Sequence, residues 1–359
     1  MKHSPRCAFD IDMTSAGLAD TPAIDRRQAL ALLAGAVVAL PAAAALRRDS
    51  HFLFGSPVEL LLPQATPQAL VDAVLGGLGA IHSLWNAWKP GEVSRLNQAF
   101  REARAETASP ALRTLIRQSA WLEVRSLGCF NAGIGGLVGA WGFHDDVMRP
   151  GARPQGAALA PWTTARPSLA QLEIRGASVA SRNPQLQLDF GAVAKGAAID
   201  AALDRLQAHG VRDALLNLGG NLAAMGNAAG PDASAWTVGI RDPAGPGVLA
   251  TLQTRGREAV VTSGSYERFR LLDGERCTHI LDPWLGAPAA DIVSVTVVHS
   301  SATLADAAAT ALLVAGPQRW RVVAERMGVD SVLVVDSHQR ITVTPRLAPR
   351  VTLSAPTRA

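Results

Sequence analysis

Residues Leu304–Val314 are almost wholly apolar and alanine-rich, and a run of this kind reads as a buried helix. Asp306 and Thr310 interrupt it one helical turn apart, so they share a face. A carboxylate and a hydroxyl removed from water must find partners. Two arrangements satisfy them: a hydrogen-bonded pair within the core, or ligation of a hard cation such as Mg²⁺, which proteins usually share with substrate phosphates. Just upstream, Thr278-His279-Ile280-Leu281-Asp282-Pro283 adds an imidazole and a second carboxylate beside a turn. That imidazole has three uses: a base, an orienting group for a nucleophile, or a phosphate ligand. The stretch points to a metal-dependent enzyme that handles phosphate.

The rest of the chain reads as α+β. Strands are predicted over Phe52–Leu62, Leu186–Phe190, Asp213–Leu218, Trp236–Arg241, Glu258–Ser263, Ile292–His299 and Ser331–Val335. One helix is predicted from Pro67, capped by Thr66, to about Trp85. Others are predicted over 108–127, Ala192–His209, Ala302–Val314 and Gln318–Met327. The Pro/Gly-rich stretch Arg149–Pro167 is a surface loop or lobe connection. Hairpin-like strand pairs are frequent, which favours α+β over a doubly wound parallel sheet.

With 359 residues, 48% of them hydrophobic, the chain can bury one large core or two lobes. The formal charge of +4 comes from scattered arginines with no basic stripe interleaved with aromatics, so nucleic acid is not an expected partner. Cys129 and Cys277 match no zinc spacing and read as unpaired, partly buried thiols. Cys7 falls in a segment expected to be removed. There, Arg26-Arg27 precede the apolar run Ala29–Leu40, and Pro41 with Ala42–Ala45 follows as a small-residue cleavage region. Residues 1–46 thus read as an export signal of the twin-arginine type. The run is short for a bilayer span and ends at Pro41, against an uncleaved anchor. The expected location is the periplasm, with residues 47–359 as the working domain.

Three further clusters carry chemistry. In Asp189-Phe190-Gly191-Ala192-Val193-Ala194-Lys195-Gly196 a strand ends at a carboxylate, a glycine turns, and a helix opens with a lysine in its first turn. A cation there opposes the helix dipole, which makes sense if an anion rests on the free N–H groups. A local Asp189–Lys195 ion pair is the plainer alternative. Asn217-Leu218-Gly219-Gly220-Asn221 is a strand running into a paired-glycine turn, either hairpin geometry or backbone contact with a nucleotide. Thr262-Ser263-Gly264-Ser265-Tyr266-Glu267-Arg268 places hydroxyls and a glycine at a strand end, suited to a capped turn or to a ligand.

Together with Ser94-Arg95-Leu96-Asn97 and Trp141-Gly142-Phe143, these clusters stand in an order that resembles the ApbE family of FAD:protein FMN transferases over nearly all of the mature chain. The resemblance implies a T-fold-like α+β core and Mg²⁺-dependent transfer of FMN from FAD to a Thr or Ser hydroxyl of a flavoprotein, releasing AMP. It implies Mg²⁺ ligation by the Ala192 carbonyl, Asp306 and Thr310. FAD contacts would fall to Asp189, Lys195 and Ile280, and more loosely to Trp88 and Asn131. His279 and Lys195 would carry the catalysis. Related alternatives are an FAD pyrophosphatase giving FMN and AMP, and a non-catalytic flavin-binding maturation factor. The chain departs from the family at three places. Phe54-Gly55-Ser56 replaces Met-Gly-Thr, Phe130-Asn131-Ala132-Gly133-Ile134-Gly135 replaces Phe-Asp-Pro-Thr-Val-Gly, and Trp284-Leu285-Gly286 replaces Arg-Thr-Gly. By the resemblance these positions would border the flavin, so altered flavin grip or target choice is the expected consequence.

Overall fold

Strands whose residues are buried on both faces need a cover on each side, and this chain supplies two different covers. The computed structural model describes residues 36–39, 46–228 and 235–354. Eight strands form one sheet: β1 (Leu46–Leu53), β2 (Ser56–Pro63), β3 (Ala214–Leu218), β4 (Asn221–Met225), β5 (Glu258–Gly264), β6 (Ile292–His299), β7 (Val332–Asp336) and β8 (Ile341–Val343). They lie across the sheet in chain order, each antiparallel to its neighbours. Every residue of β3, β4 and β7 is buried.

Side chains alternate between the two faces. Leu216, Leu218, Ala223, Val261, Val297 and Val334 join the larger core with the helices. Their neighbours Leu215, Leu222, Val260, Val298 and Leu333 join a second core containing Trp236, Val238 and Ile240. That second core is closed by another antiparallel sheet, ordered Ala36–Ala39, Thr237–Arg241, Val248–Gln253, Val351–Leu353. The helices are α1 (Gln68–Leu84), α2 (Glu92–Arg101), α3 (Pro110–Arg125), α4 (Gly135–Ala140), α5 (Ala194–Ala208) and α6 (Ala302–Met327), with one further helical turn at Ala160–Thr163 inside the Arg149–Pro167 stretch read as a loop. The α+β reading is correct.

Helix α6 is two helices in series, as the sequence suggests. Gly316, at φ 70° and ψ 178°, and Pro317 separate them, because proline lacks the N–H and clashes with the preceding turn. The first helix covers the residues that carry Asp306 and Thr310.

Several sequence boundaries need correction. Phe52–Leu62 is not one strand; it spans the β1–β2 hairpin, whose turn holds Phe54 and Gly55 at φ 56° and 68°. Thr66 does not cap α1. Its own N–H bonds to the Pro63 carbonyl, and Pro67 occupies the cap position with no side-chain cap bond. Leu186–Phe190 is extended but joins no sheet: a single bridge links Gln187 to Ile134. Helix α5 starts at Ala194, leaving Ala192 in the turn before it. The expected export signal lies outside the described residues except for Ala36–Ala39, which pair with Thr237–Arg241. Among the described residues no helix is long and apolar enough to cross a membrane. Cys129 and Cys277 are free and buried.

Candidate active site

Two helix starts and one hairpin build the centre of the site. The first turn of a helix leaves N–H groups without intrahelical partners, and in α5 one of them, the Gly196 N–H, donates to Asp306 Oδ2 at 2.9 Å. Asp306 Oδ1 accepts from Asn221 Nδ2 at 2.8 Å. Asn221 is placed by the β3–β4 hairpin, whose Gly219-Gly220 turn is pinned by the Gly220 N–H donating to Asn217 Oδ1 at 2.9 Å. The paired glycines therefore make hairpin geometry. Close approach of α5 to α6 requires Gly196: a Cβ there would lie 2.3 Å from the Ala302 carbonyl oxygen and 2.8 Å from Asp306 Cβ.

One turn further along α6, Thr310 Oγ1 lies 3.1 Å from Ser263 Oγ on β5. Burial pushes the Asp306 carboxyl above its ordinary range, against the opposing pull of Lys195, the Gly196 N–H and Asn221. A buried carboxylate beside a hydroxyl, with oxygen the only donor element, fits a hard cation. Among the described residues no three His, Cys, Asp or Glu side chains gather as a metal cluster. Ala192, whose carbonyl was expected to join Asp306 and Thr310 as a ligand, is half-buried in the turn before α5.

The second part of the site is an aromatic and imidazole wall. Asp189 Oδ1 accepts from the Gly191 N–H at 2.8 Å, and Oδ2 lies 2.9 Å from His144 Nε2. Burial raises the Asp189 pKa, but His144, the Gly191 N–H and Arg268 outweigh it and leave the group below its ordinary value. Its side-chain partner is thus the His144 imidazole rather than Lys195. His144 stacks on Trp88 with ring centroids 5.0 Å apart, and the Arg268 guanidinium sits 5.8 Å from the Trp88 ring centre. Trp88 Nε1 is buried with no hydrogen-bond partner.

His279 donates through its backbone N–H and its Nδ1 to the Arg268 carbonyl, at 3.1 and 2.9 Å. A carbonyl only accepts, so the proton rests on Nδ1 and the Nε2 lone pair is free in the neutral ring. Burial lowers the His279 pKa to about 4; the charges of Arg268 and Lys195 push the same way. Lys195 also acts on Asp306 and Glu267, so one lysine links both parts of the site.

Asn131 and Ile280, both expected beside the flavin, make bonds within the protein. Asn131 donates to the Pro167 carbonyl at 2.8 Å and accepts from the Gly133 N–H at 2.7 Å. It shapes the segment whose Ala132 carbonyl receives the Asp189 N–H. Ile280 is buried in the larger core and its carbonyl accepts from the Ala289 N–H. Sequence reasoning missed His144, Glu267 and Arg268 as individual site residues. Arg268 donates to the carbonyls of Phe143 and Asp145 while its own carbonyl holds His279. Glu267 and Arg268 also border a cavity of about 340 Å³, with Met148, Pro150, Phe269 and Leu271.

A model of the ApbE family matches residues 54–333. A FAD:protein FMN transferase of Rhodobacter capsulatus is 40% identical over 324 residues, which cover 89% of this chain and 61% of that protein. Another, of Treponema pallidum, is 39% identical over 62% of this chain and 65% of its own length. The chain thus spans less than two thirds of these two relatives. One from Klebsiella pneumoniae is 32% identical over 83% of this chain and 92% of its own. Among solved structures, a flavin transferase ApbE from Vibrio cholerae superimposes with a TM-score of 0.74 at 26% identity, covering 86% of this chain and all of that one. The apo flavinyl transferase ApbE of Pseudomonas stutzeri gives 0.73 at 28%, covering 85% and 96%.

Proposed function

The chain belongs to the ApbE family, and on that premise we propose that it is an FAD:protein FMN transferase. It moves FMN from FAD to a Thr or Ser hydroxyl of an exported or membrane-associated flavoprotein and releases AMP. One observation carries this reading. Asp306, buried and held through both oxygens, stands one helical turn from Thr310, with Lys195 in the neighbouring helix start.

In the reaction, the acceptor oxygen bonds to the FMN phosphorus as the bond from that phosphorus to the AMP oxygen breaks. The acceptor hydroxyl's proton passes to His279 Nε2, whose partner nitrogen is fixed by the Arg268 carbonyl. Lys195 and the α5 N-terminus bind the diphosphate oxygens. Asp306, Thr310 and the Ala192 carbonyl would hold Mg²⁺, which when bound neutralises charge on the diphosphate. Positioning and charge neutralisation supply most of what phosphoryl transfer needs.

Incubation of the protein with FAD, Mg²⁺ and a threonine-bearing acceptor peptide tests the reading. Covalent flavin on the peptide is the expected product. Free FMN and AMP without peptide labelling would identify a pyrophosphatase, and tight FAD binding with no product a maturation factor. Arg26-Arg27 before Ala29–Leu40 supports periplasmic delivery by the twin-arginine route. Replacing both arginines with lysine should retain the protein in the cytoplasm, as cell fractionation would show. The target is proposed to be a flavoprotein subunit of a membrane-associated redox system.

A further inference from the structure

The segment between β5 and His279 carries a carboxylate oxygen that the protein leaves unanswered. Ser263, near the end of β5, bonds Thr310, and Arg268 receives His279 through its carbonyl. Glu267 lies between those two anchors, so its backbone is tied to both parts of the site. Its Oε1 is buried and has no hydrogen-bond partner. A buried polar atom left unpaired costs about 1–3 kcal/mol, and native proteins rarely keep one without a use. Burial raises the Glu267 pKa to about 7; Lys195 and Arg241 pull it down and Asp306 pushes it up.

The type of group that completes Oε1 follows from hydrogen-bond chemistry. Above about pH 7, where Glu267 is ionised, Oε1 accepts and cannot donate. Phosphate oxygens also accept and carry like charge, so they belong with Lys195 instead. The missing group is a donor next to the phosphate. We propose that Glu267 is a substrate-contacting residue, whose Oε1 accepts a hydrogen bond from an aliphatic hydroxyl adjoining the phosphate bound at Lys195. This rests on the flavin transferase reading. Two hydroxyl sources fit that chemistry: the polyol chain of the flavin nucleotide, and the side chain of the acceptor protein.

The experiment compares wild type, Glu267→Gln and Glu267→Ala, each checked for folding by circular dichroism. FAD dissociation constants are measured by fluorescence titration, and transfer kinetics with a threonine-bearing peptide. The glutamine variant keeps an accepting oxygen at nearly the same place, so it guards against a folding failure in the alanine variant. If the hydroxyl is the flavin's, Glu267→Ala weakens FAD binding by about ten- to a hundredfold and Glu267→Gln by less. If it is the acceptor's, FAD affinity is unchanged while the peptide KM rises by a similar factor. FAD affinity and peptide KM within twofold of wild type in both variants overturn the proposal. So does unchanged FAD affinity in a protein that binds FAD but labels no peptide. A wild type that fails to bind FAD at all sinks the flavin reading itself, separately from the role of Glu267.

Discussion

The two parts of the site are finished to different degrees. Around Asp306 and Thr310 the protein supplies partners: the Gly196 N–H, the Asn221 amide and the Ser263 hydroxyl. Around Trp88 and Glu267 it leaves a donor and an acceptor without any, although both atoms are buried. Completed groups contribute to folding as well as function; incomplete ones cost stability until a ligand supplies the missing bond. The Asp306 end is therefore preorganised by the protein itself, and on the proposed reading the opposite wall is completed by substrate. Substitutions in the first part should lower stability and activity together. In the second they should lower affinity alone.

The largest effect is expected at Asp306. Asp306→Ala should reduce Mg²⁺-dependent turnover by on the order of a thousandfold or more. It also leaves the Gly196 N–H and Asn221 amide unpaired, at a cost of about 1–3 kcal/mol, while circular dichroism reports the same fold. Unchanged turnover would remove Asp306 from the site. Gly196→Ala should follow, because its Cβ would meet the Ala302 backbone oxygen and Asp306 Cβ, and neither can swing away. Overpacking of this kind costs about 1–3 kcal/mol, readable by urea denaturation, with activity falling in parallel. Full activity in this variant would show that Asp306 tolerates displacement and that the preorganisation is not needed.

The same contrast can be read through pH in the ligand-free protein. His279 has a folded pKa of about 4 against an ordinary 6.5, so the unfolded chain takes its proton first. Its contribution to stability is full above pH 6.5 and is lost as pH falls through about 4. Glu267, raised to about 7 from an ordinary 4.5, behaves in the opposite sense. Its contribution is full below pH 4.5 and is lost as pH rises through about 7. His279→Gln should flatten the acid side of a stability profile and Glu267→Gln the neutral side. A variant profile parallel to wild type would show that the group titrates normally.

How much of this was legible in the sequence depends on whether the deciding contact is local. The break in α6 at Gly316-Pro317, the turn into α5 and the one-turn spacing of Asp306 and Thr310 on a single helix are local matters of backbone restriction and helix period, and they were readable. The β1–β2 turn was not, because Phe54 in the left-handed region has no residue-type signal and the apolar run continues through it. Leu186–Phe190 has a strand's composition, yet its backbone partners lie in the Ala132–Gly135 loop. The Asp189 partner, His144, is 45 residues away in sequence, so a lysine six residues on looked the simpler choice. Glu267 is silent for the same reason. Nothing in Tyr266-Glu267-Arg268 says that the arginine's carbonyl partners lie at Phe143 and Asp145, or that the glutamate keeps a bare oxygen.

A smaller effect is expected at Trp88, where the comparison is most exposed to failure. Trp88→Phe keeps an aromatic ring on His144 and removes the unpaired Nε1. Stability should hold or rise slightly, while FAD affinity drops by about three- to tenfold through one lost hydrogen bond. A drop in stability above about 1 kcal/mol would mean that Nε1 is paired in the free protein, and the two-part picture would lose its main support.

The smallest effect belongs to the lip beyond Asp282. Asp282 Oδ1 accepts from the N–H groups of both Trp284 and Leu285, which fixes the turn. Trp284 lies beneath the Arg166 guanidinium at 5.3 Å, and Leu285 is 72% exposed. An exposed leucine on a turn held by backbone bonds has no packing to lose, so Leu285→Thr should change stability by less than about 0.5 kcal/mol. Trp284→Arg removes the stacking and sets two guanidinium groups together, costing about 1 kcal/mol. Neither residue touches the Asp306 or Trp88 groups in the contacts above, so FAD affinity should stay within twofold while the peptide KM shifts. A changed FAD affinity would instead place this lip on the flavin, and the incomplete wall would extend further than Trp88 and Glu267.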